Sequence, residues 1–223
     1  MHYPLGYEPE RKPRQIVLAT HNAGKIREFR ELLGGRGFEL LTPAEAGIVV
    51  PPIIETDRSY TENAVNKATA VARAAGLPAL ADDSGLEVDA LGGAPGPLSA
   101  RFGGLQCRTD EDRYRMLLRR LEGVPAQRRT ARFRAVLALA IPGNHPVVRE
   151  GVVEGRIALA ARGSGGHGYD PVFELPDGRT AAELTPAEKN AVSHRARAFE
   201  ALAATFDHLR MYESERWAPQ RSA

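Results

Sequence analysis

Four short polar segments carry side chains that could do chemistry. Thr20-His21-Asn22-Ala23-Gly24-Lys25 reads as a turn that opens a helix. Free backbone N–H groups and the helix dipole make such a junction an anion site, and Lys25 adds a point charge suited to phosphate. The spacing is not that of a P-loop, and a plain capped strand–turn–helix is the simpler account of this segment taken alone. Asp82-Asp83-Ser84-Gly85 follows a short apolar run at 79–81, the expected carboxyl end of a strand, where ligands gather in α/β sheets. Neighbours on a strand face opposite ways, so one carboxylate can enter a cleft while the other joins the backbone network. A cleft carboxylate could hold Mg²⁺, activate water, or both; an acidic turn is the alternative. Glu55 and Glu62 are further acids, and Glu62, one turn before Asn66, reads as part of a solvated helix face.

The third segment, Gly163-Ser164-Gly165-Gly166-His167-Gly168-Tyr169-Asp170, allows close backbone approach to a ligand at its glycines. His167 and Tyr169 supply flat rings that could stack on a base, and Asp170 supplies an acceptor. A flexible loop explains the glycines but not the His, Tyr and Asp set among them. In the fourth, Ser193 can cap a helix while Lys189, His194 and Arg195 concentrate donors at its start. Cations there oppose the macrodipole, so a ligand that supplies compensating acceptors is expected.

Elements of a mixed sheet must position these groups. The pattern predicts strands over 15–20, 38–41 and 79–81, and helices over 25–33, 59–75 and 109–121. Two Val/Ile/Leu-rich runs at 132–141 and 147–157, parted by Pro142-Gly143-Asn144, predict a hairpin. A strand over 171–175 and a last helix over 191–211 complete an α/β order with an antiparallel excursion.

Composition narrows the class. Apolar residues are 43% and charged residues 26% of 223, as in ordinary globular proteins. One cysteine, Cys107, leaves no intramolecular disulfide and no CxxC metal or redox pair. A net charge of +2 and 6% aromatics give no basic, aromatic-studded stripe, so no nucleic-acid partner is expected. No apolar run approaches the ~20 residues of a membrane span, and the polar start lacks a secretory h-region. The expectation is a soluble cytoplasmic protein with one domain over 14–211 and flexible tails at 1–13 and 212–223.

Taken together and in order, ATHNAGK, ENAVNKA, ADDSGLEVDALGGAPGPLSARF, GGHGYDPVF and TAAELTPAEKNAVSHRARA carry a resemblance. Over about 15–209 the chain resembles the inosine/xanthosine triphosphate pyrophosphatase family. The resemblance implies an elongated two-lobed α/β fold, a long mixed β-sheet flanked by helices, and an active site in the cleft between the lobes. It implies a homodimeric, Mg²⁺-dependent hydrolase that splits the α–β phosphoanhydride of non-standard purine nucleoside triphosphates (dITP, ITP, XTP) to the monophosphate and pyrophosphate.

By motif position, Thr20, His21, Asn22, Ala23, Gly24 and Lys25 hold the triphosphate, with Lys67 a further phosphate contact. Glu55 and Asp83 carry the metal, Asp83 also accepts the proton of the attacking water, and Ser84 adjoins the substrate. His167, Gly168, Tyr169 and Asp170 with Lys189, His194 and Arg195 enclose and read the base. Two residues depart from the family pattern: Asp57 for a glycine and Tyr60 for a phenylalanine. The Asp57 carboxylate either joins the metal shell or faces solvent. The Maf-like pyrophosphatases share the architecture, but their motifs are not evident, and a non-catalytic nucleotide sensor is the reading from another class.

Overall fold

The computed structural model describes residues 14–211; both expected tails lie outside the described residues. A six-stranded sheet runs β2-β1-β3-β4-β5-β6, with β1 at Arg14–Leu18, β2 at Phe38–Leu41, β3 at Ala79–Val88, β4 at Thr130–Ala140, β5 at Val147–Ile157 and β6 at Phe173–Glu174. β1 lies parallel to β2 and β3, and the remaining pairs are antiparallel. The predicted hairpin is β4–β5, with Leu139 opposite Val147.

Alternation along the strands divides the core between two faces. On one, Ile16, Leu18 and Leu80 meet Phe29 and Leu33 of α1 (Ala23–Leu33) and Phe199 and Phe206 of two C-terminal helices, α5 (His194–Ala201) and α6 (Ala203–Met211). On the other, Val17, Ala79 and Ala81 meet Ala64, Ala68 and Val71 of α2 (Tyr60–Ala75). α2 is stopped at each end by local signals: the Ser59 side chain accepts from the Glu62 N–H, and Gly76 closes the helix at φ +64°. A third cluster joins Leu86 and Val88 of β3 to Leu117 of α3 (Asp110–Arg120) and to Phe173. α4 (Pro186–Val192) precedes α5.

Three expectations are corrected. β3 does not end before Asp82; it continues to Val88, because β4 pairs with every residue from Ala79 to Val88. The last helix is three, because Ser193 leaves helical geometry to cap α5 and Leu202 interrupts the chain before α6. β6 is shorter than 171–175, since the backbone turns at 169–173, where the Val172 and Phe173 N–H groups both donate to the Tyr169 carbonyl.

Candidate active site

The site grows from an interruption in the sheet. β1 pairs with β3 only as far as Leu18 opposite Leu80, so from Ala81 onward one edge of β3 has no strand beside it. Asp82 and Asp83 fall at that open edge, on opposite faces, and both are buried. The Asp82 carbonyl oxygen accepts from Lys67 Nζ of α2 at 3.0 Å and from Lys25 Nζ of α1 at 3.5 Å. Two ammonium groups thus reach one peptide carbonyl from helices on the two sides of the sheet.

On the α2 face, Asp83 Oδ1 receives Lys67 Nζ at 2.7 Å and Oδ2 receives Asn63 Nδ2 at 3.0 Å. Asn63 and Lys67 stand four residues apart on α2 and so share a side of it. Lys67 Nζ also meets Glu55 Oε1 at 3.1 Å, and Arg101 reaches the other Glu55 oxygen at 3.5 Å. Burial pushes the Asp83 carboxyl above its ordinary value, in spite of Lys67 and Asn63. Burial opposes the Lys67 charge, but Asp83 and Glu55 outweigh it and keep the ammonium protonated.

On the opposite face, Asp82 Oδ2 pairs with Lys25 Nζ at 2.8 Å and Arg195 Nε at 3.0 Å, and accepts from Ser84 Oγ at 3.1 Å. Those two cations overcome the cost of burial and hold Asp82 far below the usual carboxylate range. Arg195 spends its other arms on Glu28 Oε2 at 2.9 Å and Ser84 Oγ at 2.9 Å. Glu28 also gathers Lys189 at 3.4 Å and the His167 ring at 3.8 Å. The negative charge that offsets the cations at the start of α5 is therefore supplied by Asp82 and Glu28 of the chain itself, which corrects the expectation that a ligand must supply it.

Around this charge network lies a cleft lined by Asn22, Ser84, Phe133, His167, Tyr169 and Arg195, among others. The junction 20–25 folds as expected: Asn22 caps α1, its side chain accepting from the Lys25 N–H at 3.1 Å, and Thr20 Oγ1 accepts from the Asn22 N–H at 3.2 Å. His21 and Ala23 are exposed beside them, and a Cβ on Gly24 would come within 3.2 Å of the His167 ring. The two glycine-bearing loops therefore lie close together, with Gly24 beside the His167 ring.

Not every ring and cation predicted to face a ligand is free to do so. Tyr169 is buried in the cleft wall with its hydroxyl donating to the Ser99 carbonyl at 2.8 Å, so it fastens the loop there. His194 is buried and stacked on Phe133 at 4.9 Å; burial and Arg195 keep it neutral. Asp170 turns back into its own loop, accepting from the His167 N–H at 2.7 Å and Lys189 Nζ at 2.5 Å. Gly166, at φ +75°, is required there, since a Cβ would strike that carboxylate. Asp57 faces solvent beside Arg58 and lies outside the charge network. The Tyr60 hydroxyl is buried with no hydrogen-bond partner among the described residues.

Glu28 and Asn63 were missed, although helical spacing could have found both: Glu28 is one turn beyond Lys25, and Asn63 one turn before Lys67. Among the described residues no three His, Cys, Asp or Glu side chains form a protein-only metal cage. Glu55 and Asp83 nevertheless converge on one ammonium. A pair of carboxylates is what Mg²⁺ uses when water and substrate phosphates complete its shell.

Residues 16–205 match the model of the Ham1 family. The chain belongs to that family. Among its curated relatives, a dITP/XTP pyrophosphatase of Symbiobacterium thermophilum is 51% identical over 187 residues, 83% of this chain and 91% of that protein. The dITP/XTP pyrophosphatase of Bacillus subtilis is 47% identical over 85% of this chain and 95% of its own. A HAM1 protein from Coxiella burnetii has the same fold, with a TM-score of 0.78 at 44% identity over 87% of this chain and 99% of that one. The mixed six-stranded sheet flanked by helices is thus a Ham1 architecture.

Proposed function

We infer that this protein hydrolyses non-standard purine nucleoside triphosphates (dITP, ITP and XTP) to the monophosphate and pyrophosphate, and so keeps them out of DNA and RNA. The observation that carries the reading is the open edge of β3. There Lys25 and Lys67 bracket one carbonyl beside two buried aspartates of different character.

The triphosphate lies along residues 20–25 and Lys67, where helix-start N–H groups and two ammonium groups meet its negative charge. Glu55 and Asp83 would hold Mg²⁺, which would supply charge neutralisation for the phosphate oxygens and the leaving pyrophosphate. Asp83 takes the proton of the attacking water. Burial holds its carboxyl above the ordinary value, which favours proton acceptance, and Asn63 and Lys67 fix its two oxygens. The base sits against Ser84 and the His167–Asp170 loop. Arg195 still has N–H groups beyond those given to Asp82, Glu28 and Ser84, and these meet the purine 6-oxygen. Adenine presents an amino donor at that position and would leave them unpaired, a mismatch that costs roughly 1–3 kcal/mol for each buried group.

The same reading places the nucleotide between two lobes of an elongated single domain. One lobe is built on the α1/α5 core and the other on the α3 core. It also makes the protein a cytoplasmic homodimer. Leu98 and Leu105 stay exposed, 39% and 96%, beside an apolar cavity lined by Pro95, Phe102 and Met116, which a second copy would cover. Light scattering at micromolar protein should return twice the 24.2 kDa chain mass. Among the described residues no helix is long and apolar enough to cross a membrane.

The deciding experiment is pyrophosphate release from a panel of nucleoside triphosphates with Mg²⁺. ITP, dITP and XTP should be turned over at least about a hundredfold more efficiently than ATP or dATP, as sites built on hydrogen bonds achieve. Equal rates on ATP and ITP would overturn the base-reading role.

A further inference from the structure

The loop at 163–170 is tied from within by Asp170 and from the core by Tyr169. A third tie comes from α3. Asp110, the first residue of that helix, accepts from the Gly168 N–H at 2.8 Å through Oδ2, while its other oxygen pairs with the Arg113 guanidinium. Both Asp110 and Arg113 line the cleft opposite residues 22–25.

The helix itself has no need of Asp110 for its cap. Thr109 and Asp112 form a complete capping box: Thr109 Oγ1 accepts from the Asp112 N–H at 3.1 Å and Asp112 Oδ2 from the Thr109 N–H at 2.9 Å. Asp110 is thereby left for the loop. The peptide it holds joins His167 to Gly168, and Gly168 sits at φ +65°, in the left-handed region. Fixing that peptide fixes the backbone that carries His167, whose ring lies beside Gly24 of the phosphate-holding turn.

We propose that Asp110 is a positioning residue: through the Gly168 amide it holds His167 across from residues 22–25, and so sets the affinity and selectivity for the purine without touching the reacting atoms. Arg113 completes the latch by keeping the carboxylate charged and aimed. The proposal rests on the reading that a purine lies beside His167.

The test compares Asp110→Ala with Asp110→Asn in the full-length enzyme, since asparagine keeps an oxygen that can accept from Gly168. Asp110→Ala should raise KM for ITP roughly tenfold, the effect of one charge-assisted hydrogen bond, with kcat within about twofold. It should narrow the ITP-to-ATP ratio and speed hydrogen exchange at the Gly168 amide. Asp110→Asn should recover most of both losses. A KM within about twofold of wild type with Gly168 still protected would overturn the proposal, and so would equal losses in both variants accompanied by a lower unfolding midpoint. If the wild-type enzyme turns over neither ITP nor XTP, the functional reading fails. The exchange measurement alone then decides the latch.

Discussion

Asp82 and Asp83 are neighbours in sequence and opposites in surroundings. Asp82 faces α1 and α5, where Lys25 and Arg195 converge on a single oxygen and hold the carboxylate ionised. Asp83 faces α2, where burial outweighs Lys67 and Asn63 and makes the ionised form less favourable than usual. A strand's two-residue period is enough to give one aspartate two cations and the other an amide and a shared ammonium. The difference teaches what each is suited to. A carboxylate locked down by two cations is a poor proton acceptor, but it can organise its neighbours. One whose charge costs more to keep accepts a proton readily.

The largest break in that comparison should come from Asp83→Asn. The amide preserves the shape while removing the proton acceptor. Loss of a general base alone costs about 10²–10⁴-fold in turnover, and weaker metal binding adds to it. The protein should stay folded with a lower unfolding midpoint, because the amide turns an NH2 toward Asn63 or Lys67, both of which the carboxylate had accepted from. ITP turnover within threefold of wild type, by pyrophosphate release, would remove Asp83 from its proposed role.

Much of this was legible in the sequence, and the failures share one cause. The elements around 20–25 and 59–76 follow local rules: an Asn22 cap, a Ser59 cap and a Gly76 stop, all within a few residues of what they control. The β4–β5 hairpin announces itself in the same way. Asp82-Asp83-Ser84-Gly85 reads as a strand end because the apolar run stops at Ala81. It continues because Lys25, Lys67 and Arg195, up to 113 residues away, supply the partners. Arg195 likewise looked like a helix-start cation awaiting a ligand. Glu28, which satisfies it from 167 residues away, carries no local sign of doing so. The Tyr169 ring is visible in sequence, whereas its burial against the α3 cluster is not.

Asp82→Asn sharpens the comparison from the other side. The substitution leaves Lys25 and Arg195 facing each other without the carboxylate that both were built around, although Arg195 keeps Glu28. Removing one partner of a buried ion pair costs about 3–5 kcal/mol, and the partial exposure of Lys25 places this case near the lower end. Denaturant unfolding should show that loss. The control is Glu87→Gln, farther along the Asp83 face of the same strand. There Arg132 and Arg134 meet Glu87 at a wetter surface and share it with Glu150 and Glu154. That pairing should be worth no more than about 1 kcal/mol and should fade with salt. A second measurement separates charge from packing. Pyrophosphate supplies the negative charge that Asp82→Asn has removed, so saturating pyrophosphate should stabilise the variant by more than it stabilises the wild type. If Asp82→Asn loses no more than Glu87→Gln, or if pyrophosphate stabilises both proteins equally, Asp82 is not the anchor of the two cations, and the contrast between the faces of β3 rests on Asp83 alone.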